Sequence, residues 1–237
     1  MLGNLLQKSS QTLFDLLYPP QCVCCNASQE WLCSTCHEKI PFILNKVCQL
    51  CGTPVNEASP CNQCHRHPLY HIDGIRVAAY YEDNPLRVAI HAFKYNNQKV
   101  LAATLAAILA QLYKRHNLTA DVIVPVPLHR SRFKERGYNQ SELLARQLGT
   151  ILTLPVNTSA LKRTRKTQTQ MSLGAGDRKK NVSGAFACQN DSLANLKVLL
   201  IDDVCTTGST LDSCAAGLKQ MGVALVWGLT LTKPADL

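Results

Sequence analysis

Nine of the twelve cysteines in this 237-residue chain fall between positions 22 and 64, and eight of them form C-x-x-C pairs: Cys22/Cys25, Cys33/Cys36, Cys48/Cys51 and Cys61/Cys64. Each pair makes a tight turn whose two sulfurs converge, and two such turns supply the four thiolates that a tetrahedral zinc ion prefers. The spacing therefore predicts two closed sites. Gly52, directly after Cys51, suits a knuckle in which backbone amides turn toward the sulfurs. Cys24 is the spare beside Cys25; it could exchange with that ligand and is read as a bystander. With four protein ligands no coordination position stays open, so this zinc folds the module and does no chemistry.

Two other uses of paired cysteines fit less well. A disulfide framework belongs to an oxidising compartment. The first residues, "MLGNLLQKSSQTLFDLLYPPQC", interrupt their leucines with Asn4, Gln7, Lys8, Ser9 and Asp15, so the unbroken apolar core of a secretory signal is missing. They read instead as a short amphipathic helix over 1–21, stopped by Pro19 and Pro20, on a cytoplasmic protein. A redox C-x-x-C is expected to open a helix, and no helical pattern follows any of the four pairs.

Only Cys188, Cys205 and Cys214 lie beyond residue 64, and this asymmetry marks a domain boundary near 68/69. The apolar stretches "LAATLAAILA" and "VALVWGLTL" fall short of the ~20 residues that a membrane-spanning helix needs. The formal charge of +9 falls to +5 once eight thiolates bring −8 and two zinc ions +4. A chain still this basic suits phosphate-bearing partners without choosing among a nucleotide, a sugar phosphate and a nucleic acid.

From residue 72 the pattern alternates. "IDGIRVAAYYED" reads as a hairpin or strand pair, and "NPLRVAIHAFKYN" and "QKVLAATLAAILAQLYKRHN" read as helices. "DVIVPVP" is a short buried strand and "RGYNQSELLARQLGTIL" a helix with apolar residues at three- and four-residue steps. "GAFAC" and "KVLLID" follow as strands, "STLDSCAAGLKQMG" as a helix stopped at Gly222, and "VALVWGLTLT" as a last strand. Strands alternating with helices predict an α/β fold with a mostly parallel sheet flanked by helices on both faces. Ligands of such sheets bind beyond the carboxyl ends of the strands.

"VLLIDDVCTTGST", 198–210, lies at such an end. An apolar strand delivers Asp202 and Asp203, and a run of small residues leads into a helix. Small residues let backbone amides approach an anion, the helix start adds its positive end, and hydroxyls donate further hydrogen bonds. Two carboxylates beside a bound phosphate need another task, such as gripping sugar hydroxyls or a magnesium ion. Cys205 has no activating base nearby and reads as filler. "VPVPLHRSRFKERGYNQ", 124–140, places Arg130, Arg132, Lys134 and Arg136 beyond a strand end, where they suit a leaving pyrophosphate as well as a plain basic turn. Arg136, taken to stand at a helix start, looks best placed. "LKRTRKTQTQMSLGAGDRKKNVSGAF", 161–186, is basic with Gly174 and Gly176 in its middle, as a mobile lid or an exposed loop would be; Arg165, Gln170, Arg178 and Asn181 are its candidate contacts.

"VLLIDDVCTTGST" resembles the signature of type I phosphoribosyltransferases. The resemblance implies that Asp202 and Asp203 hold the ribose 2- and 3-hydroxyls of phosphoribosyl pyrophosphate (PRPP), while Thr206, Thr207, Gly208, Ser209 and Thr210 wrap its 5-phosphate. The order of the cysteine pairs, "FKYNNQKVLAATLA", "VPVPLHRSRFKERGYNQ", "RTRKTQTQ", "RKKN" and "LIDDVCTTGST" is similar to the ComF family of bacterial competence proteins, close to its GntX-like members. That resemblance implies a double zinc ribbon over 22–68 joined to a type I phosphoribosyltransferase-like domain over 69–237. It further implies a role in DNA uptake for natural transformation, with other competence proteins as candidate partners. Lys94 in "FKY" matches the family's lysine near the substrate pocket. On this reading Asp202, Asp203, Arg136 and Arg165 are catalytic, and His129, Arg130 and Lys94 join the strand-end residues in binding PRPP with Mg.

Two functions stay open. One is an enzyme that transfers the ribosyl group to a nitrogen nucleophile and releases pyrophosphate. The other is a non-catalytic helper that binds single-stranded DNA or senses PRPP. Against a stacking platform for DNA, aromatic residues are 6% of the chain and no run of them alternates with basic residues.

Overall fold

The computed structural model describes residues 19–55, 61–163, 186–188 and 193–235. The amphipathic helix expected before residue 21 and all of the lid except Leu161–Arg163 and Phe186 lie outside them. Two one-turn helices, α1 (Ser34–Glu38) and α2 (Asn62–Arg66), belong to the cysteine module. They start at Cys33 and Cys61, where no helix was expected, and each turns its second cysteine back toward the first.

The body follows as β1 (Gly74–Tyr80), α3 (Pro85–Tyr95), α4 (Leu101–Arg115), β2 (Val122–Pro125), α5 (Arg130–Arg136) and α6 (Gln140–Leu152). Then come β3 (Leu161–Arg163), β4 (Phe186–Cys188), β5 (Lys197–Val204), α7 (Ser209–Gln220) and β6 (Leu225–Lys233). Strands β1, β6, β5 and β2 form, in that order, a parallel sheet. β3 and β4 pair antiparallel in a separate two-stranded ribbon.

Segment 72–83 is thus one strand and not a hairpin. Ile75, Val77, Ala78 and Ala79 are all buried, and a strand buried on both faces suits a parallel sheet rather than a solvent-facing ribbon. β5 shows the same logic. Leu199 and Ile201 enter the core beneath α3, α4 and α6, while Val198 and Leu200 enter the core beneath α7 and the β3–β4 ribbon. On α3, Asn84 caps the first turn by accepting from the Leu86 and Arg87 amides at 2.9 and 3.2 Å. Leu86, Ile90 and Phe93 are then fully buried, each worth about 1.5–3 kcal/mol of transfer energy.

The cysteine module covers the outer edge of β1. The Ile43 amide donates to the Ala78 carbonyl at 2.8 Å, and the Ile75 amide donates to the Leu50 carbonyl at 2.8 Å. An edge strand left bare would invite pairing with another chain. At the opposite edge, β2 is closed by residues 155–157, with the Ile123 amide donating to Pro155 and its carbonyl accepting from Asn157. No helix among the described residues is long and apolar enough to cross a membrane.

Candidate functional site

The sulfurs of Cys22, Cys25, Cys33 and Cys36 lie within 4.8 Å of one another, as do those of Cys48, Cys51, Cys61 and Cys64. Individual separations are 3.5 Å for Cys25–Cys33, 3.3 Å for Cys51–Cys61 and 3.7 Å for both Cys48–Cys64 and Cys61–Cys64. A tetrahedron with zinc–sulfur bonds of about 2.3 Å has edges of about 3.8 Å, so both clusters fit the ion. Without it their charges conflict. At Cys22 burial opposes ionisation, yet the Cys33, Cys24 and Cys25 amides outweigh it and bring the thiol down to about 6. At Cys48 burial is likewise outweighed, by the Cys51, Leu50 and Cys61 amides, which bring it to about 6. Burial and neighbouring sulfurs push Cys36 and Cys64 up. One thiolate forms readily and four need a cation. Cys24 is not one of the four converging sulfurs: its thiol donates to the Pro85 carbonyl at 3.4 Å, and burial pushes it up to about 11.

At the carboxyl end of β5, Asp202 and Asp203 each take a partner of their own. Asp203, 8% exposed, pairs with Lys94 Nζ at 2.8 Å. Asp202 Oδ1 accepts from the Ser141 hydroxyl and from the Asp203 amide, each at 2.9 Å. Burial first and the Asp203 charge second push the Asp202 carboxyl up to about 7. Arg163 on β3 feels the Asp202 charge as well as its own burial, and its guanidinium lies 5.3 Å from the Phe186 ring centre.

The chain then turns through Gly208, whose φ of +84° is left-handed and which gives α7 its cap. The left-handed conformation calls for glycine, and a Cβ there, 2.9 Å from Ile75 Cδ1, would also have to displace the end of that side chain. The Thr207 and Ser209 hydroxyls lie 2.7 Å apart. Asp212, in the first turn of α7, accepts from the Tyr70, His71 and Ile72 amides at 2.9, 2.8 and 3.1 Å and ties the linker from the cysteine module to this helix. Burial pushes the Cys205 thiol up to about 12, in keeping with a filler.

The structure brings Lys94, Asp202, Asp203 and the 206–210 loop together. His129 and Arg130 follow β2, the neighbour of β5; His129 Nδ1 accepts from the Ser131 amide at 3.2 Å and caps α5, and Arg130 is its exposed first residue. Arg136 corrects an expectation. It closes α5 instead of starting a helix, because Gly137 at φ +77° ends that helix and Asn139 caps the next. Its guanidinium lies 4.8 Å from the Tyr95 ring centre and donates to the Tyr95 hydroxyl at 3.2 Å. Arg165 lies outside the described residues. Ser141 and Arg163 were missed: an Asn-capped helix start signals the first only as a capping residue, and the second hides among equivalent neighbours in a basic run.

Residues 13–65 match the family model of a double zinc ribbon domain, and residues 91–233 match that of a phosphoribosyl transferase domain. The chain is 34% identical to competence protein F of Haemophilus influenzae, over 88% of this chain and 96% of that protein. It is 34% identical to the DNA utilization protein YhgH of Salmonella typhi, over 92% and 99% of the two chains. Competence protein ComFC of Bacillus subtilis is 27% identical over 82% and 80%. With relatives aligned along most of their length and the transferase model spanning more than half of this one, the chain belongs to the ComF family, a double zinc ribbon joined to a type I phosphoribosyltransferase fold.

Proposed function

We propose that this protein binds PRPP with magnesium at the carboxyl end of β5 and transfers its 5-phosphoribosyl group, in the cytoplasm, in the service of DNA uptake. The names of its relatives, competence protein F and DNA utilization protein, support the setting. The observation that carries the chemistry is the pair Asp202–Asp203, each with its own fixed partner, at a strand end that leads through Thr206 and Thr207 to a left-handed glycine at a helix start.

Lys94 holds Asp203 in place and Ser141 holds Asp202, so the two side chains present acceptors for adjacent ribose hydroxyls. The 5-phosphate rests on the amides and hydroxyls of Thr206 to Thr210. The carboxylate and hydroxyl oxygens here suit a hard cation, and magnesium, when bound, neutralises charge on the pyrophosphate. His129 and Arg130, which follow β2, together with Arg136 and Arg165, are the residues assigned to the pyrophosphate. The ribose C1–O bond breaks with its electron pair leaving on pyrophosphate; an acceptor nitrogen donates its lone pair to C1 and loses a proton. Fixed charges and positioning supply most of the acceleration.

Calorimetric titration with PRPP, with and without magnesium, beside Asp202→Asn/Asp203→Asn tests this. Magnesium-dependent binding that vanishes in the double variant supports the assignment, and pyrophosphate release with an acceptor base then separates an enzyme from a PRPP sensor. Absence of binding in the zinc-loaded wild type sinks it and makes single-stranded DNA the next ligand to try.

A further inference from the structure

Two cations lie buried beside the second cysteine site. Arg76 on β1 and Lys233 at the end of β6 are each 4% exposed. Arg76 donates from Nη1 to the Gln49 and Ile75 carbonyls at 2.9 and 2.8 Å and from Nη2 to Gln49 Oε1 at 2.9 Å. Its guanidinium lies 4.7 Å from the Trp227 ring centre. Lys233 Nζ donates to Thr53 Oγ1, which also accepts from the Cys51 thiol at 3.2 Å. Every one of these acceptors is neutral, and among the described residues neither cation pairs with a carboxylate. Buried charges without counter-charges are costly. Four thiolates around one Zn²⁺ carry a net charge of −2, the charge that two buried cations call for.

We propose that Arg76 and Lys233 are the counter-cations of the zinc held by Cys48, Cys51, Cys61 and Cys64, and that this ion, rather than its partner at Cys22, Cys25, Cys33 and Cys36, fixes the strand edge beneath the phosphate-facing loop. The path is short. Gly52, with φ +68°, sits where a Cβ would meet the Ile75 carbonyl at 2.6 Å, and the Ile75 amide donates to Leu50. The side chains of Ile75 and Leu69 press against Gly208, and the Cys205 amide donates at 2.8 Å to Thr232, next to Lys233. Gln49, which holds Arg76, lies between the ligands Cys48 and Cys51, and Thr53, which joins Lys233 to the Cys51 thiol, follows two residues after it, so both contacts belong to the second site.

The two tryptophans of the chain make the difference measurable. The Trp31 carbonyl accepts from Val23 beside the first site, and Trp227 stacks under Arg76 beside the second. In a Trp31→Phe protein, zinc is withdrawn by a chelator and counted with a metal-binding dye while Trp227 emission is followed. The emission should stay constant as one equivalent leaves and change with the other. Cys61→Ser should shift it and Cys25→Ser should not. Arg76→Gln and Lys233→Met should each release the Trp227-linked equivalent about 10–100-fold faster, the usual reach of residues behind metal ligands, and leave the other equivalent at its wild-type rate. Emission that ignores both ions, or variants that release both alike, overturns the proposal. Should the charge variants fail to fold, the Trp31→Phe titration still decides.

The loop's part in this rests on the PRPP reading. Cys25→Ser should keep PRPP affinity and Cys61→Ser should lose it; equal affinity in both refutes the link to the loop. A zinc-loaded wild type that never binds PRPP defeats the proposed function, while the zinc and emission results stand or fall by themselves.

Discussion

Replacing Asp202 by Asn removes one of two adjacent carboxylates and keeps the oxygen that accepts from Ser141 and Asp203. In the wild type burial, and then the charge of Asp203, push this carboxyl up to about 7, against the opposing pull of the Asp203 amide, Lys94 and Ser141. An ordinary aspartate titrates near 3.9, and each pH unit of difference corresponds to about 1.36 kcal/mol, which gives about 4 kcal/mol as an upper bound. The sign follows from proton counting. Below about pH 4 the group is protonated in both folded and unfolded chains, and its contribution to stability is complete. Between about pH 4 and pH 7 the folded state keeps a proton that the unfolded chain has released, so stability falls as pH rises and levels off above the folded pKa. Asparagine carries no such dependence. The variant should therefore exceed the wild type in urea unfolding at pH 8, and the gap should widen by about 1–3 kcal/mol between pH 5 and pH 8. The same variant should lose PRPP affinity, because a site charged for a ligand is held at the expense of the fold. An asparagine variant that is less stable at pH 8, or a gap that does not change with pH, refutes the account of Asp202.

Lys94→Met leaves Asp203 buried without its 2.8 Å partner and should cost about 2–4 kcal/mol in urea unfolding at pH 7.5; adding Asp203→Asn should recover much of that loss, and a purely additive double variant would mean the pair is not coupled. Gly208→Ala forces a side chain into a left-handed position 2.9 Å from Ile75 Cδ1, so it should lower stability by about 1–2 kcal/mol and weaken PRPP binding in calorimetry. Asp212→Ala strips the acceptor from three backbone amides at 70–72; a loss of about 2 kcal/mol is expected, and thermal melting within a degree of wild type would contradict it.

Patterns that repeat within a few residues were legible in the sequence. Thiolate pairs three apart must converge, so Cys22 to Cys64 sort into two clusters as their spacing requires. The apolar run ahead of Asp202 forms a strand covered on both faces, and the small residues after it make the turn into α7. What stayed hidden depends on residues far apart in the chain. Nothing local marks Lys94 as the partner of Asp203, or distinguishes Arg163 from its basic neighbours. Arg136 was misplaced because Gly137 and Asn139 split what reads as one helix. The segment 72–83, which reads as a hairpin or strand pair, is one strand, and Arg76 in its middle would by itself suggest a solvent-facing side. That arginine is instead buried, facing Gln49 and Trp227.

Arg76 also shows why a boundary near 68/69 separates compositions more than it separates packing. β1 precedes the region matched by the transferase model, yet it pairs with β6 on one side and with the cysteine module on the other. Take the module away and β1 loses the backbone partners of Ile75 and Ala78 along its outer edge, Arg76 loses Gln49, and Lys233 loses Thr53. Each loss hands these groups to water, so the cost falls on the uncovered strand edge and on the apolar surface of β1 that the module had covered. A fragment starting at residue 69 should accordingly expose an aggregating strand edge, whereas the second zinc site and the transferase sheet should melt as one unit in the intact chain.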